Sequence, residues 1–374
     1  MNSNYYFSVN KKKWSVKSIE ERKVNKLIQD LNISDFLARL ICSRGITIDK
    51  AADFINPSLR NQLPSPMLLK DMDLAVNRIS KAFINKEKIA IFGDYDVDGA
   101  TSSAVLYKSF KLFGNEPIIY IPDRIKEGYG PNIDALKLLQ DQGVTLVITV
   151  DCGMTSFKEL DYAKDISLDI IVVDHHAPEA KLPSAIAVIN PNRIDDNTGL
   201  GMLAAVGVSF MLVGALKSKL VEIKFIDESN IPNLSFLLDL VALGTICDVV
   251  PLVGANRALV KQGLRVMSKR QNNGINALFE VSEIDDMPSV FHAGFLLGPR
   301  INAGGRVGES SLGSKLLTTD NISEAKEISF HLNGLNEERK QLEASVLDQA
   351  KNLVLGHESD EILVLSSKNW HPGV

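Results

Sequence analysis

Three aspartates, Asp94, Asp96 and Asp98, stand at alternate positions directly after the apolar run Ile89-Ala90-Ile91-Phe92-Gly93. Asp151 follows a second apolar run, 145–150, and Asp174-His175-His176 follows a third, 168–173. Asp248 lies in the apolar stretch Ile246-Cys247-Asp248-Val249-Val250. Clustered carboxylates repel one another, so such a set is tolerable only with metal ions or cationic side chains among them. A neutral imidazole is a good metal ligand. A neighbouring carboxylate fixes its tautomer and orientation, the role for which Asp174 is placed. A buried aspartate without a partner is costly, so Asp248 is paired with a cation or placed at a metal unless it sits on an exposed turn. The chemistry these residues suit is therefore the binding of cations.

Two plainer readings of the acidic stretch compete. One is a solvated acidic turn. The other is a calcium loop of the pattern D-x-[DN]-x-[DN]-G-x5-E, which Asp94, Asp96, Asp98 and Gly99 fit in its first half. The second half fails, because Val105 stands where the closing glutamate belongs and a strand-like run precedes the loop. Along an extended chain the three carboxylates share a face but spread over roughly 13 Å, at about 3.3 Å per residue. A curl at Gly99 is the expected way to gather them.

Those residues need elements to position them. Strands are expected at 89–93, 117–121, 145–150, 168–173 and 185–189, and helices near 100–112, 132–141 and 155–165. The strands read as apolar runs and not as alternations, which predicts a mostly parallel sheet covered by helices on both faces. Ligands in such sheets bind at the carboxyl ends of the strands, and Asp94, Asp151 and Asp174 fall there.

The remaining chain frames this region. Residues 1–78 read as helical, without strand signals. They carry a basic cluster, Lys11, Lys12, Lys13, Lys17, Arg22, Lys23 and Lys26, interleaved with Tyr5, Tyr6, Phe7 and Trp14. That mixture suits base stacking with phosphate neutralisation, or simply a solvated helix face. After the loop Asn190-Pro191-Asn192, two apolar helices follow; the uncharged stretch 199–216 is at the short limit for a membrane span and reads as a buried helix. The stretch 298–308, GPRINAGGRVG, reads as a glycine loop. Its glycines would let backbone N–H groups approach an anion, and Arg300 and Arg306 offer bidentate donors for phosphate. A long charged helix is expected over 321–354 and a strand over 361–366, just before the sequence ends, which suggests a second domain begun but not closed.

The 374 residues are 45% hydrophobic and 23% charged, with a formal net charge of −5, so no global basic footprint advertises nucleic acid. A basic groove on an acidic protein remains compatible with that. The three cysteines, Cys42, Cys152 and Cys247, show no metal or disulfide spacing, and the first residues lack an apolar signal core. A cytoplasmic, membrane-free protein is expected.

Taken in order, GDYDVDGAT at 93–101, IPDRIKEGYGP at 121–131, TVDCG at 149–153, DHH at 174–176, GTICDVVPL at 244–252 and GPRINAGGR at 298–306 resemble the DHH phosphoesterase superfamily. Within it they resemble the RecJ-type single-strand DNA exonucleases, over roughly residues 14–374. Ala205 and Gly304 stand where that family is expected to have Gly and Ala, and Cys247 where Ala is usual. The resemblance implies an α/β fold: a mostly parallel sheet covered by helices, the DHH domain at 79–314 with a 5′-phosphate loop at 298–308. A connecting helix at 315–356 would then lead to the first part of a truncated second α/β domain, DHHA1, at 357–374.

The same resemblance implies two divalent cations, Mn2+ or Mg2+, and stepwise 5′-to-3′ release of 5′-mononucleotides from single-stranded DNA in repair and recombination. The expected metal ligands are Asp96, Asp98, Asp151, His175 and Asp248, with Asp94 beside them and Asp151 between the ions. His176 would stabilise the phosphate or protonate the leaving oxygen, and Asp174 is counted with it among the catalytic residues. Arg124 and Tyr129 would touch substrate. Arg300, Asn302 and Arg306, with the backbone of Gly304 and Gly305, would hold the terminal 5′ phosphate. The expected partners are single-stranded DNA with a 5′ end, a single-strand-binding protein and a helicase. Two alternatives are a DHH-type phosphodiesterase for short oligonucleotides or cyclic dinucleotides, and an inactive scaffold of a replication complex, which should have lost ligands.

Overall fold

The computed structural model describes residues 5–15, 17–355, 362–371 and 373. The chain folds as two units, Met1–Leu63 and Pro64–Val374. The break falls earlier than the expected 78/79, because the helix that follows it packs against the sheet of the second unit.

The first unit opens on a short antiparallel hairpin, β1 (Tyr5–Phe7) and β2 (Lys13–Ser15), with Tyr6 opposite Trp14. The expectation of an all-helical region is corrected here. An aromatic run supplies one strand, and Lys11 takes a left-handed φ of 54° in the turn. Helices α1 (Glu21–Leu31), α2 (Asp35–Ser43), α3 (Ile48–Ile55) and α4 (Leu59–Gln62) follow. The first three close on Val24, Leu27, Ala38, Ile41 and Ala51. The seven basic residues of the cluster are exposed, as are Tyr6, Phe7 and Trp14.

The second unit holds a five-stranded parallel sheet. Its strands are β3 (Lys88–Gly93), β4 (Ile118–Tyr120), β5 (Val144–Val150), β6 (Asp169–Val173) and β7 (Ala187–Ile189), in the order β4-β3-β5-β6-β7. Helices α5 (Met72–Ile84), α6 (Val97–Leu112), α7 (Ile133–Asp141) and α8 (Phe157–Asp165) belong to it. Alternate strand residues go to opposite faces, and both sets are buried. Ala90, Phe92, Val147, Ile170 and Val172 pack with Leu136, Leu139 and Leu160 of α7 and α8. Ile89, Ile91, Leu146, Ile148, Ile171 and Val173 are equally covered, and α5, α6 and α9 (Ala205–Glu222) pack on the strands as well. Two covered faces are why the strands read as unbroken apolar runs.

A second helical layer lies beyond α6. It comprises α10 (Leu238–Cys247), α11 (Gly254–Met267), α12 (Asn273–Val281), α13 (Gly298–Val307), α14 (Leu312–Thr318) and α15 (Ile322–Val354). The stretch 199–216 contributes to the buried α9, as its lack of charge predicts. One stretch, Glu228–Cys247, is long and apolar enough to cross a membrane, and it is mostly buried inside the protein.

Three expectations are corrected. The loop at 298–308 is a helix, α13, entered through a π-helical turn at His292–Leu297. The connecting helix does not run unbroken from 315: α14 ends at Thr318, and Asn321 caps a new helix by accepting from the N–H groups of Ser323 and Glu324. The strand expected at 361–366 is not formed over its described part, 362–366; residue 361 lies outside the described residues. A strand needs a neighbour for its backbone groups, and no described strand lies beside this one.

Candidate metal centre

Chain connectivity reverses between β3 and β5, since the chain goes from β3 to β4 on one side and returns to β5 on the other. Such a switch leaves a crevice beyond the strand ends. Three adjacent strands deliver acids to it: β3 leads to Asp94, β5 to Asp151 and β6 to Asp174.

The acidic loop is gathered by a helix start and not by a curl at Gly99. Asp96 is the N-cap of α6, its Oδ1 accepting from the Gly99 N–H at 2.9 Å. Gly99 serves by being small: a Cβ there would lie 2.4 Å from the Asp94 carbonyl oxygen. Asp98, 1% exposed, accepts from the N–H groups of Ala205 (2.7 Å) and Val206 (2.9 Å), so it caps α9 from another element. Asp151 holds a left-handed φ of 61° on the turn after β5. Asp248 ends α10.

The side chains converge in three groups, Asp94/Asp96/Asp151, Asp151/His175/His176 and Asp98/His175/Asp248, each with ligand atoms within 4.8 Å of one another. Asp151 and His175 each belong to two groups. His175 Nε2 lies 3.4 Å from Asp151 Oδ1, 3.5 Å from Asp248 Oδ2 and 3.8 Å from Asp98 Oδ2. These are too long for hydrogen bonds of ordinary strength. Asp94 Oδ1, Asp151 Oδ1, His175 Nε2 and Asp248 Oδ2 are buried without a hydrogen-bond partner. Buried polar atoms rarely lack partners; four in groups linked through Asp151 and His175 fit bound cations.

The electrostatics agree. Burial, and then the charge of Asp96, pushes Asp94 up to about 7. Burial and Asp96 do the same to Asp248. Asp98 and Asp151 stand well above the usual carboxylate range, from burial and then from each other's neighbouring acids. Burial holds His175 below its ordinary value, the neutral form that binds metal. Asp174 behaves in the opposite way. Burial works to raise it, but the His176 ring and the backbone N–H groups of His175 and His176 outweigh that and leave it lowered. His176 Nδ1 lies 2.7 Å from Asp174 Oδ1, and this bond raises the histidine. The ring is half exposed, with its Nε2 free of that bond.

The expected substrate residues divide. Tyr129 reaches the centre, its hydroxyl donating to the Asp151 carbonyl at 2.8 Å and its ring edge-on to His176. Arg124 lies over the Tyr95 ring. On α13 the helical turn separates Arg300 from Arg306 and puts Asn302 on the Arg306 face. Arg300 donates to the Leu296 carbonyl (2.7 Å) and to Asn333 (3.0 Å) on α15. Asn302 accepts from the Val97 N–H at 3.1 Å, holding the start of α6. Arg306, Asn302 and Pro299 line a cleft of about 190 Å³ with Arg339 of α15. Gly304 and Gly305 do not form an open backbone cradle, because their N–H groups lie inside a helix. A Cβ at Gly304 would lie 3.1 Å from Leu332, and one at Gly305 2.4 Å from the Tyr95 ring, so both glycines serve close packing.

Sequence reasoning passed over Asn190, Asn192, Tyr95 and Arg339. Asn190 donates to the His176 carbonyl at 2.9 Å and Asn192 to that of His175 at 2.5 Å, so both hold the histidine backbone. Their position just after β7, on the same sheet edge, was the available signal.

A sheet with acids and paired histidines at its switch point defines a class, and residues 88–245 match it as the DHH family, N-terminal domain. The single-stranded-DNA-specific exonuclease RecJ of Escherichia coli is 39% identical over 90% of this chain and 60% of its own length. The protein of the same name from Bacillus subtilis is 34% identical over 97% of this chain and 45% of its own. A crystal structure of exonuclease RecJ bound to manganese superposes with a TM-score of 0.72 and 32% identity, covering 83% of this chain and 76% of that one. The chain belongs to the RecJ family of DHH proteins. It spans about half the length of the curated relatives it matches.

Proposed function

We propose that the chain carries the catalytic centre of a single-strand-specific DNA exonuclease that releases 5′-mononucleotides in the 5′-to-3′ direction. The observation that carries this is the convergence of Asp94, Asp151, His175 and Asp248, each with a buried unpartnered ligand atom, in a chain whose relatives are named single-stranded-DNA-specific exonucleases. Asp94, Asp96, Asp98, Asp151, His175 and Asp248 would hold two divalent cations. The oxygen-rich set with one imidazole suits Mn2+ or Mg2+. Bound there, such ions acidify water and neutralise the scissile phosphate.

The chain's own residues supply the rest. Asp174 fixes His176 at Nδ1 and favours its charged form; protonated at Nε2, the ring would donate to the phosphate or to the departing 3′ oxygen. Asn190 and Asn192 keep both histidines on the crevice edge. Tyr129, tied to the Asp151 carbonyl, and Arg124, over the Tyr95 ring, would contact the strand. Two metals alone would cleave any diester that reached them, so end selectivity needs an anchor at a fixed distance. Arg306 and Asn302 would supply it for the 5′ phosphate, with Arg300 bracing α13 against α15. A single-strand-binding protein and a helicase are the further partners this reading expects, in the cytoplasm, in DNA repair and recombination.

The experiment is digestion of 5′-labelled and 3′-labelled single strands with Mn2+. Release of labelled mononucleotide from the 5′-labelled strand first, with a ladder from the other, is expected. Internal cuts, or label released first from the 3′ end, would overturn the reading. Cleavage confined to dinucleotides would favour the short-oligonucleotide alternative.

A further inference from the structure

Between Asp94 and Asp96 the acidic loop contains one residue that is not an acid, Tyr95, and its surroundings give it a task. Asp94 and Asp96 are fixed on either side of it. One side of its ring lies against α13 at Gly305, where any side chain would overlap it: an added Cβ would sit 2.4 Å from one ring carbon and 2.8 Å from another. The Arg124 guanidinium lies over the ring, its carbon 5.0 Å from the centroid.

Among the described residues no hydrogen bond holds the Arg124 side chain. Its loop is ordered by Asp123, which accepts from the N–H groups of Ile125 and Lys126, and by Glu127, which accepts from the Asp123 N–H, the Tyr120 hydroxyl and Asn132. None of these touches the Arg124 side chain, and it forms no ion pair among the described residues. Yet its charge is felt at Asp94. A carboxylate partner would orient an arginine but also occupy its donors. An aromatic face orients it and leaves its N–H groups for a phosphate.

We propose that Tyr95 is the positioning residue of Arg124: seated by Gly305, its ring holds the guanidinium beside the acidic centre, ready for a phosphate group of the DNA strand. This rests on the substrate reading above. It also makes α13 a common support, since Asn302 holds the start of α6 while Gly305 seats the ring that carries the arginine.

Tyr95→Leu keeps much of the volume but removes the π face; Tyr95→Phe keeps the face. Two measurements separate positioning from packing. The first is the rate of tryptic cleavage after Arg124 in the free protein, followed by mass spectrometry. The second is KM and kcat on a 5′-phosphorylated single strand at saturating Mn2+. Tyr95→Leu should speed that cleavage and raise KM about 3- to 10-fold, with kcat little changed. Tyr95→Phe should restore both. Added to Arg124→Ala, Tyr95→Leu should cost nothing further in KM. Should Tyr95→Leu not fold, Tyr95→Met serves the same comparison.

Unchanged cleavage and KM in Tyr95→Leu would overturn the proposal. So would a phenylalanine variant as impaired as the leucine one, or losses that add in the double variant. If the native chain neither binds nor cuts DNA, the substrate reading falls, and the tryptic comparison still decides the stack.

Discussion

The acidic crevice and helix α13 lie in one unit, and both were expected to bind charged groups, but they are built differently. In the crevice, four buried ligand atoms in linked groups have no hydrogen-bond partner. On α13, the polar groups are already engaged: Arg300 with Leu296 and Asn333, Asn302 with Val97, and Arg306 with the Gly373 carbonyl at 3.2 Å. The crevice is incomplete as protein and demands a cation. The helix is complete as protein, so any phosphate must compete with existing contacts. The acids are left free for a ligand, whereas on α13 any recognition would have to share residues that already support the fold.

The largest effect should come from Asp151, which like His175 is shared by two ligand groups. Asp151→Asn should lower kcat by more than about 100-fold, since even outer partners of metal ligands cost 10- to 100-fold. It should also raise the melting temperature of the chelated protein, because it removes a buried carboxyl whose ionisation burial and its acidic neighbours oppose. A metal-free variant no more stable than the native chain would break the contrast between the two regions.

Next come the histidine and its orienter. His176→Ala should lower kcat about 100-fold with Mn2+ affinity retained, and Asp174→Asn should act in the same direction, because both remove a fixed proton donor and not an ion's main support. Lost Mn2+ binding in His176→Ala would move that residue into the ligand set.

On α13, Arg306→Ala should weaken use of 5′-phosphorylated strands about 10- to 150-fold, the worth of a charged hydrogen bond of about 1.5–3 kcal/mol, and use of 5′-hydroxyl strands much less. Arg339→Ala should share that selectivity, because it lines the same cleft. An equal loss on both substrates would make α13 support alone.

A smaller effect concerns pH. Asp94 and Asp248 are raised to about 7 in the folded chain from an ordinary 3.8. Without metal, the folded state therefore keeps protons that the unfolded state has lost. Its stability is fullest below the ordinary value and falls as pH rises from about 4 to about 7. Melting of the chelated protein should drop by several degrees between pH 5 and pH 8, and Mn2+ at pH 8 should restore it. A chelated protein that melts higher at pH 8 would contradict the raised carboxylates.

What could be read from the residues follows the same division. The strands were legible because a sheet covered on both faces writes itself as apolar runs such as 145–150, and their ends marked Asp94, Asp151 and the histidines. Helix α13 was not legible: Gly304 and Gly305 each disfavour a helix interior by about 1 kcal/mol, and Gly308 follows at its end. Only tertiary contacts, with Leu332, Tyr95 and Leu335, show why nothing larger fits. The hairpin at 5–15 hid in a run that reads as basic and aromatic. Tyr95, Asn190 and Arg339 were passed over because their partners are distant in sequence; Arg339 meets Arg306 only through the packing of α15 on α13. Asp98 was legible as an acid but not as the cap of α9, a contact 107 residues away.

The central claim is that six residues of the crevice hold two divalent cations. Titration of the chelated, dialysed chain with Mn2+ by calorimetry tests it most directly. The account predicts two ions per chain, and fewer than two for Asp151→Asn. Binding of fewer than two ions by the native chain, or of two ions with undiminished affinity in Asp151→Asn, would contradict it.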